Sequence, residues 1–135
     1  MTTQKLRERR KRVQKMNRVL RALFPDSRIH LHHSNAWELL VAVILSAQCT
    51  DARVNMVTPA LFSRYTTIYA YRRAPGHDIE KLVFQTGFYR SKAKYIQLAA
   101  EAIMTEHGGL VPTTMAELIR LPGVGRKTAN VVLST

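Results

Sequence analysis

The sequence predicts an all-α fold, and three observations carry that expectation. Apolar residues recur at helical spacing along most of the 135 residues, no alternating run is long enough for a sheet, and short connections marked by Gly, Pro or Thr separate the apolar segments. With 46% hydrophobic residues, a chain of this length can hold a real core, burying roughly two-thirds of the surface its unfolded form exposes. It contains no internal repeat and no low-complexity linker.

The elements follow in order. Val13, Met16, Leu20 and Leu23 line one face of a helix that Pro25 ends. Asn35 and Glu38, three apart, resemble a capping box opening Ala36–Leu45, a segment apolar on nearly every side that suits a buried central helix. Thr50 caps a helix bearing Val54, Val57 and Leu61, where Pro59 marks a kink or an end. Thr67 opens a short helical stretch through Tyr71, closed by Pro75-Gly76, and Asp78 caps Ile79–Phe84, which Gly87 stops. Ser91 caps Lys92–Glu106 with Ala93, Ile96, Ala99, Ala100 and Ile103 inward, and Gly108-Gly109 closes it. Thr114 and Glu117 have capping-box spacing ahead of Leu118 and Leu121. After Pro122-Gly123-Val124-Gly125, a last helix starts at Arg126.

Composition excludes several classes. One cysteine, Cys49, rules out an internal disulfide, a cysteine-only zinc site and an iron–sulfur cluster held by this chain, and reads as a small apolar residue. The apolar runs are too short for a membrane span, and the charged N-terminus lacks the apolar stretch of a secretory signal, so a soluble, reduced compartment is expected. His30, His32 and His33 have no fourth ligand nearby and read as a solvated loop; Tyr65, Tyr69 and Tyr71 read as packing residues.

Charge supplies the first functional clue. Nine basic residues against Glu8 in residues 1–21 account for +8 of the net +12. Clustered Lys and Arg displace counterions from a phosphate backbone, so a polyanion partner is expected. The accompanying apolar seam has no interfacial Trp and suits docking on protein better than on a membrane.

The turn Leu121-Pro122-Gly123-Val124-Gly125-Arg126-Lys127-Thr128-Ala129 lies between two helical patterns. Two glycines around one aliphatic residue allow a sharp turn and close approach of the backbone to another surface. The start of the following helix aims unpaired N–H groups outward, which suits a phosphate, while Val124 can point back between the helices. By residue type alone this is either a plain connection or a phosphate-gripping hairpin.

Extended through Asn130-Val131-Val132-Leu133, that string resembles the helix–hairpin–helix of the endonuclease III family of base-excision repair glycosylases. Trp37 through Leu45, followed by Ser46-Ala47-Gln48-Cys49-Thr50-Asp51, resembles the family's early buried helix and the turn after it. Thr86-Gly87-Phe88-Tyr89-Arg90-Ser91-Lys92-Ala93 resembles its Gly-hydrophobic-Tyr-x-x-Lys-Ala segment. Together the motifs cover about residues 35–135.

The resemblance implies an all-α helix–hairpin–helix glycosylase: a six-helix barrel domain over residues 26–135, with residues 1–25 as a basic helix that packs on a cluster-bearing domain. It implies removal of oxidised pyrimidines from duplex DNA and β-elimination at the abasic site through a lysine Schiff base. Lys127 is then the catalytic amine, since Arg126 and the positive end of the next helix both disfavour an ammonium there. Gly123, Val124, Gly125 and Arg126 would grip the backbone. Gln48 would enter the duplex where the flipped base left, and Phe88 would act as an apolar wedge at a base step. Residue type alone leaves Lys127 open as a phosphate ligand, Gln48 as a locally satisfied helix end and Phe88 as a core residue.

The family's catalytic aspartate and the four cysteine ligands of its 4Fe-4S cluster, expected downstream of the hairpin, have no counterpart in this sequence, whose last acid is Glu117. The chain therefore reads as a member truncated at the C-terminus, with no cofactor of its own and a weakened case for the glycosylase step. The alternatives are a non-enzymatic helix–hairpin–helix DNA-binding module and an inactive fragment. The partner expected is double-stranded DNA with an oxidised pyrimidine or abasic site, bound by a monomer in the cytoplasm, nucleoid-associated if the source is prokaryotic.

Overall fold

A computed structural model describes residues 30–134. Contacts divide the chain into residues 1–30 and 31–135, and the helices below all lie in the second unit. The expected Val13–Leu23 helix face and the basic run of residues 1–21 lie outside the described residues.

The described residues are all-helical, with no strand among them: α1 (Ala36–Leu45), α2 (Asp51–Arg64), α3 (Ile68–Arg73), α4 (Gly76–Val83), a 3-10 turn (Phe84–Thr86), α5 (Tyr89–Glu106), α6 (Met115–Leu118) and α7 (Arg126–Leu133). The core forms around α1, in which every residue from Leu39 to Leu45 is buried, as is Trp37. Helices α2, α5 and α7 pack on it, and α3 and α4 pack on α5. Trp37 meets Tyr71 edge-on with ring centroids 5.2 Å apart, and Tyr65 lies 5.4 Å from Tyr71, so two of the three tyrosines are packing residues as expected. Tyr69 is exposed.

Local chemistry explains the helix ends. Asn35 Oδ1 accepts from Glu38 N at 2.8 Å, but the Glu38 carboxylate reaches back to Ser34 N, one residue before the cap position. Thr50, Thr67 and Thr114 each accept from the backbone N–H three residues on, as N-caps do. Gly108 and Gly109 have φ of 60° and 82°, and the Gly109 N–H closes α5 on Ile103 O.

Three boundaries differ from expectation. Pro59 does not end α2, which runs on to Arg64. Helix α4 starts at Gly76 behind Pro75, so Asp78 lies in its first turn rather than capping it, and Phe84 belongs to the 3-10 turn. Helix α5 starts at Tyr89, not after Ser91. Its flanking residue, Phe88, is left-handed and makes no side-chain cap.

Candidate nucleic-acid interface

The hairpin begins where Leu121 and Val124 are buried, Val124 pointing back into the core as expected. The Val124 N–H donates to Leu121 O at 3.1 Å, which closes the turn. Gly123 has φ of 77°, and a methyl group added there would fall 2.7 Å from Cβ and Cγ of Tyr95 on α5. Gly125 has φ of −92°, and nothing lies within 4 Å of where its Cβ would stand. The two glycines therefore differ. Gly123 is required inside the protein by sign of φ and by the Tyr95 ring, whereas Gly125 leaves an open approach to the start of α7. Gly123 thus has a demand from the fold that Gly125 lacks, besides any role in backbone approach to an outside surface.

No side chain caps α7. Its first intrahelical bond runs from Ala129 N to Gly125 O, so the first-turn amides point out of the helix start. Ala129 and Val132 are buried and pack the helix on α1, and the same rotation leaves Arg126, Lys127 and Asn130 exposed. Two cations thus flank uncapped amides at the positive end of a helix, an arrangement that attracts an anionic oxygen.

Gln48 and Phe88 share an unusual feature. They are the two non-glycine residues with positive φ among the described residues, 52° and 45°. Such a backbone costs a β-carbon-bearing residue on the order of 1–2 kcal/mol. Both side chains are exposed; Phe88 is 63% accessible, so it is not a core residue. The Gln48 side chain makes no hydrogen bond among the described residues, so it is not a locally satisfied helix end. An aromatic ring and an amide held outward on strained backbone gain nothing from the fold itself.

Lys92 explains how the two loops are held; the sequence marks it as the start of a helix and as the lysine of the family-like segment, with no role of its own. It is 3% exposed. Its Nζ donates to Leu45 O at 2.9 Å and to Thr86 O at 2.7 Å. Leu45 ends α1, three residues before Gln48; Thr86 ends the 3-10 turn, two residues before Phe88. Burial pushes the Lys92 ammonium below its ordinary pKa, and the nearby Cys49 acts in the opposite sense. Lys92, Ile96, Ala99 and Ile103 share the heptad-like spacing of the inward face of α5, and a lysine on that face was the signal available in the sequence.

One turn further along α5, Tyr95 packs on Gly123 of the hairpin. The first two turns of α5 therefore touch all three segments: the Gln48 turn, the Phe88 loop and the hairpin that precedes Lys127. Among the described residues no three His, Cys, Asp or Glu are placed to hold a metal ion. No described helix is long and apolar enough to cross a membrane.

A buried central helix, a glycine hairpin entering a cationic helix and two outward loops tied to one clamp define a helix–hairpin–helix protein. The family model for HhH-GPD superfamily base excision DNA repair proteins matches residues 41–133, and the chain belongs to that family. Endonuclease III of Synechocystis sp. (strain ATCC 27184 / PCC 6803 / Kazusa) is 48% identical over 130 residues, covering 96% of this chain and 59% of that protein. Endonuclease III of Bacillus subtilis (strain 168) is 50% identical over 112 residues, covering 83% of this chain and 51% of its own. A trapped endonuclease III–DNA covalent intermediate, an estranged-adenine complex, matches with a TM-score of 0.78 at 45% identity, covering 99% of this chain and 60% of that one. A non-covalent endonuclease III–DNA complex matches with the same score and identity. These findings bear out the family resemblance and the all-α fold read from the sequence. The chain spans between half and three-fifths of the length of these proteins.

Proposed function

We propose that this chain binds damaged duplex DNA in base excision repair and carries the abasic-site lyase chemistry of the family on Lys127. The observation that supports this best is the position of Lys127: exposed, in the first turn of α7, two residues past the hairpin's open glycine and next to Arg126. In this reading Gly123, Val124, Gly125 and Arg126 form the phosphate grip. Gln48 fills the gap left by a flipped nucleotide, and Phe88 wedges the adjacent base step. The relatives known as covalent and non-covalent DNA complexes support a DNA partner for this chain as well.

The lyase step balances with this chain's own amine. Neutral Lys127 Nζ adds to C1′ of the ring-opened abasic sugar, and loss of water gives the imine. Protonated, the imine draws electrons from the C2′–H bond. A base removes that proton and the 3′ phosphate leaves by β-elimination. Release of an intact oxidised pyrimidine needs acid–base help as well, and no acidic residue of this sequence follows Glu117. The glycosylase step is therefore proposed for the family's longer proteins and not for this chain alone. A 4Fe-4S cluster does not fit the residues present, because Cys49 is the single cysteine of the sequence. We further infer a monomer working on DNA in the cytoplasm or nucleoid.

Borohydride trapping on an abasic duplex tests the reading. The wild-type chain should give a covalent adduct and Lys127→Gln none, while a thymine-glycol duplex should release no base. A folded wild-type chain that binds the abasic duplex but never forms an adduct is a binding module instead. Efficient glycol release would mean that another residue supplies the missing carboxylate's role.

A further inference from the structure

We propose that Lys92 is a positioning residue that sets the spacing of the two strained loops, so that Gln48 and Phe88 enter one lesion together. The proposal rests on the DNA reading above and adds a residue that makes no contact with solvent-side chemistry. One ammonium donates to two carbonyls, Leu45 O and Thr86 O, which are 41 residues apart in sequence and belong to different elements. Both oxygens are thereby fixed within the reach of a single nitrogen.

A need to cap α1 does not account for this arrangement. The C-terminal carbonyls of α1 before Leu45 are already taken by the chain just after it: Ser46 N–H serves Ala42 O and Val43 O, and Ala47 N–H reaches Ile44 O at 3.5 Å. Leu45 O is the one given to a distant side chain, at the helix end where the macrodipole favours a cation. Likewise the 3-10 turn is closed locally, by Gly87 N–H to Phe84 O and by Thr86 Oγ1 to Val83 O. Thr86 O is again the group left for Lys92. Gly87, at φ of 77°, then turns the chain so that Phe88 follows in the left-handed region.

Burying an ammonium is costly unless its donors are used, and an apolar residue would fill the site more cheaply. What the ammonium does that an apolar side chain cannot is hold two backbones at a defined separation. Both backbones carry an exposed residue at positive φ, a conformation that persists only where surroundings enforce it.

The test uses the full 135-residue chain, with Lys92→Met and Lys92→Arg. The probe is a duplex carrying a tetrahydrofuran abasic analogue, with 2-aminopurine as the orphaned base, compared with the intact duplex. Helical circular dichroism and a cooperative melt check that each variant folds. Wild type should prefer the abasic duplex and raise 2-aminopurine fluorescence as the base is unstacked. In Lys92→Met the preference should fall at least tenfold and the fluorescence rise should vanish, and Lys92→Arg, which keeps charge and donors, should restore both in large part. On top of a Gln48→Ala/Phe88→Ala pair, Lys92→Met should add nothing. A folded Lys92→Met protein with wild-type preference and fluorescence overturns the proposal, and so does a folded Lys92→Arg protein as impaired as Lys92→Met. A Lys92→Met chain that cannot fold assigns the ammonium to the fold as a whole and overturns it too. If wild type shows neither preference nor fluorescence response, the DNA reading itself fails, and the positioning role falls with it.

Discussion

Phe88 separates stability from function within one side chain. Its left-handed backbone costs about 1–2 kcal/mol, while its ring is mostly exposed and contributes little burial. Phe88→Gly removes that strain but adds roughly 0.5–1 kcal/mol of glycine entropy. Thermal melts should therefore show no loss of stability and a gain of up to about 1.5 kcal/mol, while preference for abasic over intact duplex drops. A destabilised Phe88→Gly protein would mean that the ring packs in solution. The hairpin glycines offer the complementary pair. Gly123→Ala puts a methyl group against the Tyr95 ring at positive φ, so it should cost about 1–3 kcal/mol. Gly125→Ala meets no neighbour and has an ordinary φ, so the melt should stay within about 0.5 kcal/mol of wild type. DNA affinity should nevertheless fall, because the added methyl stands on the open side of the α7 start. Unchanged affinity would make that side of the hairpin a connector only.

At the scale of elements, α1 is the pillar and α5 the organiser. Leu40 of α1 is fully buried, and Leu40→Ala should cost about 2–5 kcal/mol by chemical denaturation. Helix α5 works through side chains that close other elements. Lys92 takes carbonyls from the ends of α1 and the 3-10 turn, and Gln97 Nε2 donates to Tyr71 O at 3.2 Å and Ala74 O at 2.6 Å at the end of α3. The Lys92 clamp should leave a signature in pH. Its pKa is lowered in the folded state from 10.5. Between the folded value and 10.5 the unfolded chain binds more protons than the folded one, so this group's contribution to stability rises with pH there. Burial of Tyr71 raises its pKa and works the other way above pH 10, but it is common to wild type and variant. The stability of wild type minus that of Lys92→Met should therefore climb as pH rises towards 10.5. A flat or falling difference would contradict the buried ammonium.

For the molecule as a whole, the net charge of +12 predicts binding governed by phosphate contacts. The logarithm of duplex affinity should fall with the logarithm of salt by about 0.9 per phosphate contact. Removing residues 1–12, which hold six basic groups, should shallow that slope and weaken binding equally across sequences. A salt-independent affinity would argue against the polyanion partner altogether.

Helix positions were legible in the sequence because they depend on neighbours within a turn or two. The caps at Asn35, Thr50, Thr67 and Thr114, the stop at Gly108-Gly109 and the apolar run Ala36–Leu45 all rest on interactions spanning no more than six residues. The starts of α4 and α5 differ from the expected ones: Asp78 and Ser91 are good caps by type, but Pro75 and the left-handed Phe88 stand at the actual starts with no side-chain cap. The hairpin and the place of Lys127 at a helix start were legible, since a glycine turn before a cationic helix start is read from neighbouring residues. The positive φ of Gln48, the acceptors of Lys92 and the difference between Gly123 and Gly125 were not. Each depends on groups far apart in sequence, 47 residues for Lys92 and Leu45, and 28 for Gly123 and Tyr95. Local propensity determined which helices form; packing α5 against the ends of the others decided which loops point outward, because a buried ammonium must find its acceptors wherever the folded chain provides them.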